Sequence, residues 1–128
     1  MRAYIDSSAF VKLVIPEPES TVLRGWLRGR LWTSSLLLRA EVLRALRPHG
    51  VAAVEVGRKM IGNGELIRLN PALMDMSASL GSPDLRTLDA IHLAAALLLG
   101  HDLAAVVTYD EHMADAARTL GMRTVSPA

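Results

Sequence analysis

Polar and apolar positions along this chain switch repeatedly between a strand-like period of two and a helix-like period of 3.6. Ala3-Tyr4-Ile5 is a short apolar run of β type, and Asp6-Ser7-Ser8 after it is a ready helix N-cap. Ala9 to Ile15 reads as helix until Pro16-Glu17-Pro18 stops it. A second helix opens at Pro18-Glu19-Ser20, carries Val22, Leu23, Trp26 and Leu27 at helical spacing, and closes at Gly29. Leu31-Trp32-Thr33 reads as the second strand. Ser34 or Ser35 then caps a third helix that runs to about Arg47, before Pro48 and Gly50. Val51 to Ile61 is helical, Gly62-Asn63-Gly64 is a turn, and Glu65 to Leu69 alternates as a third strand.

Pro71 to Leu80 is helical. Ser82-Pro83 supplies an N-cap with proline at the first helical position, which predicts a helix from there to Leu99. Ala104 to Thr108 has the continuous apolar character of a buried strand, Glu111 to Leu120 is helical, and Arg123 to Val125 forms a last strand. Strands alternating with helices imply an α/β fold with a parallel sheet and helices on both faces. No linker or repeat divides the chain, so residues 1–128 are expected to form one domain.

Composition narrows the chemistry. The chain has no cysteine, which removes disulfides, zinc-thiolate sites and thiol nucleophiles. Asp6 interrupts any apolar signal segment, and the apolar run Ala90 to Leu99 is too short to span a bilayer. A cytoplasmic protein is expected. The net charge of +1 says little about partners by itself, and twelve of the fourteen basic residues are arginine. Arginine suits bidentate phosphate contacts, although a GC-rich genome gives the same bias.

In a doubly wound sheet, sites form beyond the carboxyl ends of the strands. Asp6 ends the first strand and Asp110 follows Val106-Val107-Thr108, so both face one rim. Each also has a plain structural reading. Asp6 caps the helix after it. Thr108-Tyr109-Asp110-Glu111 fits a capping box with Thr108 as the cap. Asp89 falls inside a helical pattern beside Leu85, Leu93, Ala96 and His92, where a charge needs a partner (Arg86 or His92) or a metal. Glu41, near Leu37, Leu38, Arg44 and Ala45, taken alone pairs with Arg44 for about 0.3–0.5 kcal/mol. Taken together, four carboxylates from different elements suit a hard divalent cation such as Mg2+ or Mn2+. Such a cage can orient water and offset charge on a phosphodiester during in-line attack. Setting these four aside leaves nine acids against fourteen basic residues. That balance suits a polyanionic substrate.

Tyr4-Ile5-Asp6-Ser7-Ser8-Ala9, Arg39-Ala40-Glu41-Val42, Leu88-Asp89-Ala90-Ile91-His92-Leu93-Ala94-Ala95-Ala96 and Val107-Thr108-Tyr109-Asp110 resemble, in order and spacing, the four acidic motifs of VapC-type PIN domains. The resemblance spans essentially the whole chain, and the segment around Asp89 is its most specific part. It implies a PIN-like fold, a parallel sheet of about five strands with helices on both faces. It implies a catalytic metal site of Asp6, Glu41, Asp89 and Asp110. Asp6 and Asp89 would be direct ligands, Glu41 and Asp110 would act through water or at a second metal, and Ser8 and Thr108 would support the cluster. The implied activity is Mg2+- or Mn2+-dependent endoribonuclease cleavage by the toxin of a type II toxin–antitoxin pair. The implied partners are an RNA substrate, a VapB-type antitoxin and a second copy of the chain. Residues 58–70 match no motif.

Lys12, Arg39, Arg44, Arg47 and Arg86 lie near the acidic motifs and are candidate RNA contacts, with solvated surface charge as the alternative. Phe10, Val11, Val14 and Ile15 offer a candidate antitoxin groove or plain core. His92 reads as a packing or hydrogen-bonding residue, and Trp26 and Trp32 read as core. A haloacid-dehalogenase-like site would need Asp-x-Asp where Asp6-Ser7-Ser8 stands, and a receiver domain would need a lysine near a later strand; the only lysines are Lys12 and Lys59. The remaining alternative is a PIN-like module that binds RNA or protein without cutting.

Overall fold

The computed structural model describes residues 1–128. Five strands form one parallel sheet: β1 (Arg2–Ile5), β2 (Leu31–Ser35), β3 (Glu65–Ile67), β4 (Leu103–Val107) and β5 (Thr124–Val125). Their spatial order is β3-β2-β1-β4-β5. The sheet therefore grows outward from β1 in one direction and then, from β4, in the other, which makes the end of β1 a topological switch point. Ala3 lies beside Trp32 on one side and Ala105 on the other, and Ile5 lies beside Val107; the β1–β4 register shifts by one residue between Arg2 and Ala3.

Seven helices cover the sheet: α1 (Ser7–Val14), α2 (Ser20–Leu27), α3 (Leu37–Leu46), α4 (Val51–Gly62), α5 (Pro71–Ala78), α6 (Thr87–Leu97) and α7 (Glu111–Thr119). Strand side chains alternate in direction, and the alternation sorts the interior into two cores. Ala3, Ile5 and Val107 meet Phe10, Leu23, Leu38, Val42, Leu46 and Ile61 from α1–α4. Tyr4 and Val106 meet Leu73, Leu93, Met113 and Ala117 from α5–α7. None of these helices is long and apolar enough to cross a membrane.

The helix carrying Asp89 is the most enclosed. Seven consecutive residues of α6, from Ala90 to Ala96, are buried, so it is covered all round rather than along one stripe. The small side chains of Ala94, Ala95 and Ala96 let it fit into that space.

Two expected boundaries are displaced. Ser34 and Ser35 do not cap α3. Both are fully buried in β2, paired with Leu66 and Ile67 of β3, and α3 starts after Leu36 without a side-chain cap. The helix expected from Ser82 starts at Thr87 instead. Ser82 does act as a local cap, accepting the Asp84 N–H at 3.2 Å, but it closes only a single turn. Arg86 is then extended (φ −65°, ψ 146°), and the backbone turns helical only beyond it. Asp89 consequently lies in the first turn of α6, where a negative charge is favoured by the helix dipole.

Enlarging the enclosed alanine face should be costly. Ala95→Leu is expected to reduce unfolding free energy by about 1–3 kcal/mol, measured by urea denaturation. An unchanged midpoint would show that α6 is not tightly packed.

Candidate metal centre

Asp6 follows β1 directly and is 3% exposed. Burial of this kind requires hydrogen-bond donors, and three arrive from different places. Oδ1 accepts the Ser8 hydroxyl at 2.7 Å and the Ala9 backbone N–H at 3.0 Å, so Asp6 is the N-cap of α1. Oδ2 accepts the Thr108 hydroxyl, which comes from the adjacent strand end. Loss of solvent raises the Asp6 pKa, and these three donors pull it back only in part.

Thr108 and Ser8 tie the two strand ends together. Thr108 Oγ1 accepts the Asp110 N–H at 3.1 Å, and Ser8 Oγ accepts the Tyr109 N–H at 2.9 Å. The capping box expected at Thr108 is not formed. Thr108 Oγ1 donates to Asp6 and accepts from Asp110, and α7 starts later with Asp110 as its cap, accepting from the His112 and Met113 backbone N–H groups at 2.9 and 3.2 Å through Oδ1. The supporting positions expected for Ser8 and Thr108 are thus occupied by hydroxyls bonded directly to Asp6.

Glu41 reaches across from α3. It does not pair with Arg44. Its Oε1 meets His92 Nε2 of α6 at 2.5 Å, and His92 Nδ1 meets the Tyr4 hydroxyl at 2.7 Å. Tyr4 is a contributor that sequence reasoning missed. Its apolar strand setting explains it as core, and nothing local marks its hydroxyl as part of a polar network. The hydroxyls of Ser34 and Ser35 are buried nearby without a protein partner.

Asp89 is held by no hydrogen bond. The partners expected for it are otherwise disposed: His92 is spent on Glu41 and Tyr4, and Arg86 acts on Asp89 only as a nearby positive charge. Partial burial raises the Asp89 pKa first, and the negative charges of Asp110 and Glu41 raise it further. Beside it opens a cleft of about 390 Å3, lined among others by Leu85, Arg86, Asp89, Asp110 and His112.

This donor set fits a hard divalent cation. It is all carboxylate, and its mutual repulsion is answered only in part by the nearby Arg86 and His92. Glu41 Oε2, both oxygens of Asp89 and Asp110 Oδ2 carry no protein hydrogen bond. No three His, Asp or Glu side chains are gathered tightly enough to hold an ion as they stand. Side chains must turn to do so, and Asp89 is the least restrained.

The basic candidates separate. Arg86 lines the cleft with Asp89 and Asp110. Arg39 is exposed on α3. Arg44 and Arg47 instead flank a different cleft between α3 and α4, with Arg58, Val51 and Val54. Lys12 is withdrawn from any phosphate: its ammonium lies 2.5 Å from Glu17, 3.0 Å from Glu19 and 4.8 Å from the Tyr109 ring centroid. Phe10 is buried, and Val11, Val14 and Ile15 pack partly buried against the α1–α4 core. Trp26 and Trp32 also pack there.

The sequence profile of the PIN domain family matches residues 3–119. Ribonuclease VapC46 of Mycobacterium tuberculosis is 49% identical over 126 residues, 98% of this chain and 97% of that protein. Ribonuclease VapC47 of the same species is 37% identical over 130 residues, covering 97% and 96% of the two chains. Among solved structures, M. tuberculosis VapC20, described as a sarcin–ricin loop cleaving toxin, superposes with a TM-score of 0.76 at 12% identity, covering 98% of this chain and 99% of that one. A toxin–antitoxin complex from Klebsiella pneumoniae gives 0.72 at 20% identity, covering 98% of each chain. At those identities the two structures speak to the fold alone.

The raised pKa values of Asp6 and Asp89 carry a sign for stability. In the metal-free protein Asp6 and Asp89 bind protons more tightly folded than unfolded. Their contribution to stability therefore falls as pH rises from the ordinary carboxylate range, about 4, through the raised folded values. Asp89→Asn, which loses no hydrogen bond, should melt at a higher temperature than the parent near pH 7 in chelator. The difference should shrink toward about pH 4. A variant less stable than the parent at neutral pH would show that Asp89 has a favourable partner.

Proposed function

Because this chain belongs to the PIN-domain family, we propose that it is an endoribonuclease of the VapC type, hydrolysing RNA phosphodiester bonds with Mg2+ or Mn2+. The observation that carries this reading is the group of acids around Asp89, whose repulsion and partial burial the nearby Arg86 and His92 offset only in part. The ribonuclease relatives at 49% and 37% identity over nearly the whole chain support the activity.

Asp6, Glu41, Asp89 and Asp110 would hold the ion. When bound, a divalent cation supplies positive charge against the carboxylates and the phosphodiester, and it makes water more acidic. The chain's own contribution is positional. Ser8 and Thr108 fix Asp6 at the end of β1, so that carboxylate spends little entropy on binding. The α7 cap fixes Asp110 through Oδ1 and leaves Oδ2 free. Asp89, unbonded in the first turn of α6, turns to complete the site. Arg86, on the wall of the same cleft, provides a guanidinium for a phosphate beside the one attacked. Arg39 is a second candidate for the same strand, and Arg44 and Arg47 would serve only an RNA long enough to reach the α3–α4 cleft. No side-chain nucleophile is required.

The remaining parts of the reading follow from the family. The chain acts as the toxin of a type II pair in the cytoplasm, as a single domain, restrained by a VapB-type antitoxin and working as a homodimer.

Purified full-length protein freed of any bound partner, incubated with total RNA and Mg2+ or Mn2+, should yield discrete fragments. Chelator should abolish them, and Asp6→Asn and Asp89→Asn should each lower the cleavage rate by at least about 100-fold. Equal cutting by both variants would overturn the nuclease site. Metal-independent RNA binding without cutting would support the non-catalytic module instead.

A further inference from the structure

We infer that His92 is a positioning residue: anchored by Tyr4, it fixes the Glu41 carboxylate in one orientation and leaves Oε2 as the oxygen available to a cation. This rests on the reading that Glu41 belongs to the metal site, but it concerns groups that the reading leaves unused.

His92 is 1% exposed and sits between two oxygens. Its Nε2 faces Glu41 Oε1 at 2.5 Å. A carboxylate only accepts, so Nε2 carries the proton. Its Nδ1 faces the Tyr4 hydroxyl at 2.7 Å, and that oxygen accepts the Ser35 backbone N–H at 3.1 Å. A neutral imidazole protonated on Nε2 accepts at Nδ1, so the Tyr4 hydroxyl donates to it. The hydrogen bonds therefore run in one direction, from the backbone of β2 through Tyr4 on β1 and His92 on α6 to Glu41 on α3.

Each link is held independently. Tyr4 is fully buried in the central strand, and its ring meets the imidazole edge-on, with centroids 5.8 Å apart. The imidazole cannot turn without breaking both bonds in a space closed to water. Glutamate is long and rotamer-rich, and without this bond Glu41 would have to lose that freedom when it binds an ion. The bond to a charged acceptor is of the stronger kind. The same β1 that ends in Asp6 thus also sets Glu41, on a different element, through Tyr4.

A merely structural role for Tyr4 and His92, satisfying each other in the core, would leave Glu41 independent of them. Two measurements on the full chain separate the cases. Long-range 1H–15N correlation spectra of the metal-free protein should show the His92 proton on Nε2; a proton found only on Nδ1 overturns the inference. Mn2+ binding, followed by electron paramagnetic resonance, should weaken about 10–100-fold in His92→Leu. His92→Gln, which keeps an N–H donor at the Nε2 position, should restore binding toward that of the parent. Melting curves identify any variant that fails to fold. If His92→Leu does not fold, Tyr4→Phe, which keeps the imidazole but removes its anchor, decides. It should weaken Mn2+ binding about tenfold, and unchanged binding overturns the inference. Glu41→Gln is the control: if it binds Mn2+ like the parent, the metal-site reading itself fails. If Glu41→Gln is impaired while folded His92→Leu and Tyr4→Phe are not, only the positioning role fails.

Discussion

A carboxylate taken out of water at the end of a central strand must be met by donors, and Asp6 is met by three. Two come from the turn that starts α1 and one from the end of β4. That single requirement fixes much of the rim. It makes Asp6 a helix cap and takes up the Thr108 hydroxyl proton, while Asp110 caps α7. Ser8 and Thr108 also accept the backbone N–H groups of Tyr109 and Asp110, so the β1 and β4 ends are joined by side chains where the ladder stops. Burial still raises the pKa of Asp6. The arrangement is therefore stable as a scaffold yet short of positive charge.

The order of the sheet explains why the acids lie toward one edge. β1 lies in the centre, with β2 and β4 on either side. The helices after β1, β2 and β4 start from the same edge, while α6 threads between the sheet and α5 with its first turn at that edge. Asp6, Asp110 and Asp89 arrive there from three connections, and Glu41 arrives by the bond to His92. Asp6, Glu41 and Asp110 are each restrained by donors from the protein; Asp89 is not. A division between fixed and free carboxylates of this kind lets a site take up an ion with limited reorganisation.

Much of this was legible in the sequence because it is local. The strand Ala3–Ile5 with its Asp6 cap, the helix stop at Gly29, and the buried run ending at Val107 all rest on neighbours within one turn. The parallel five-strand sheet followed from their alternation. What was not legible depends on distant partners. Glu41 has Arg44 at a favourable helical spacing, yet it bonds His92, 51 residues away. Thr108 satisfies a capping pattern, yet its hydroxyl is taken by Asp6, 102 residues earlier. Lys12 stands near an acidic motif in sequence but is neutralised by Glu17 and Glu19. The Ser82-Pro83 signal was real, but Arg86 extends the backbone before the helix begins. For Glu41 and Thr108 a distant partner overrode the one that sequence spacing offered, whereas for Lys12 and Ser82 the competing choice was local.

The central claim is that these four acids gather around one or two divalent cations. The most direct measurement is a crystal structure of the chain soaked in Mn2+, with anomalous data collected to locate the metal. The account predicts an anomalous peak bounded by Asp6, Glu41, Asp89 and Asp110, with Asp89 turned inward from its metal-free position and the His92–Glu41 bond retained. A peak elsewhere, or none at a concentration that supports RNA cleavage, would contradict it.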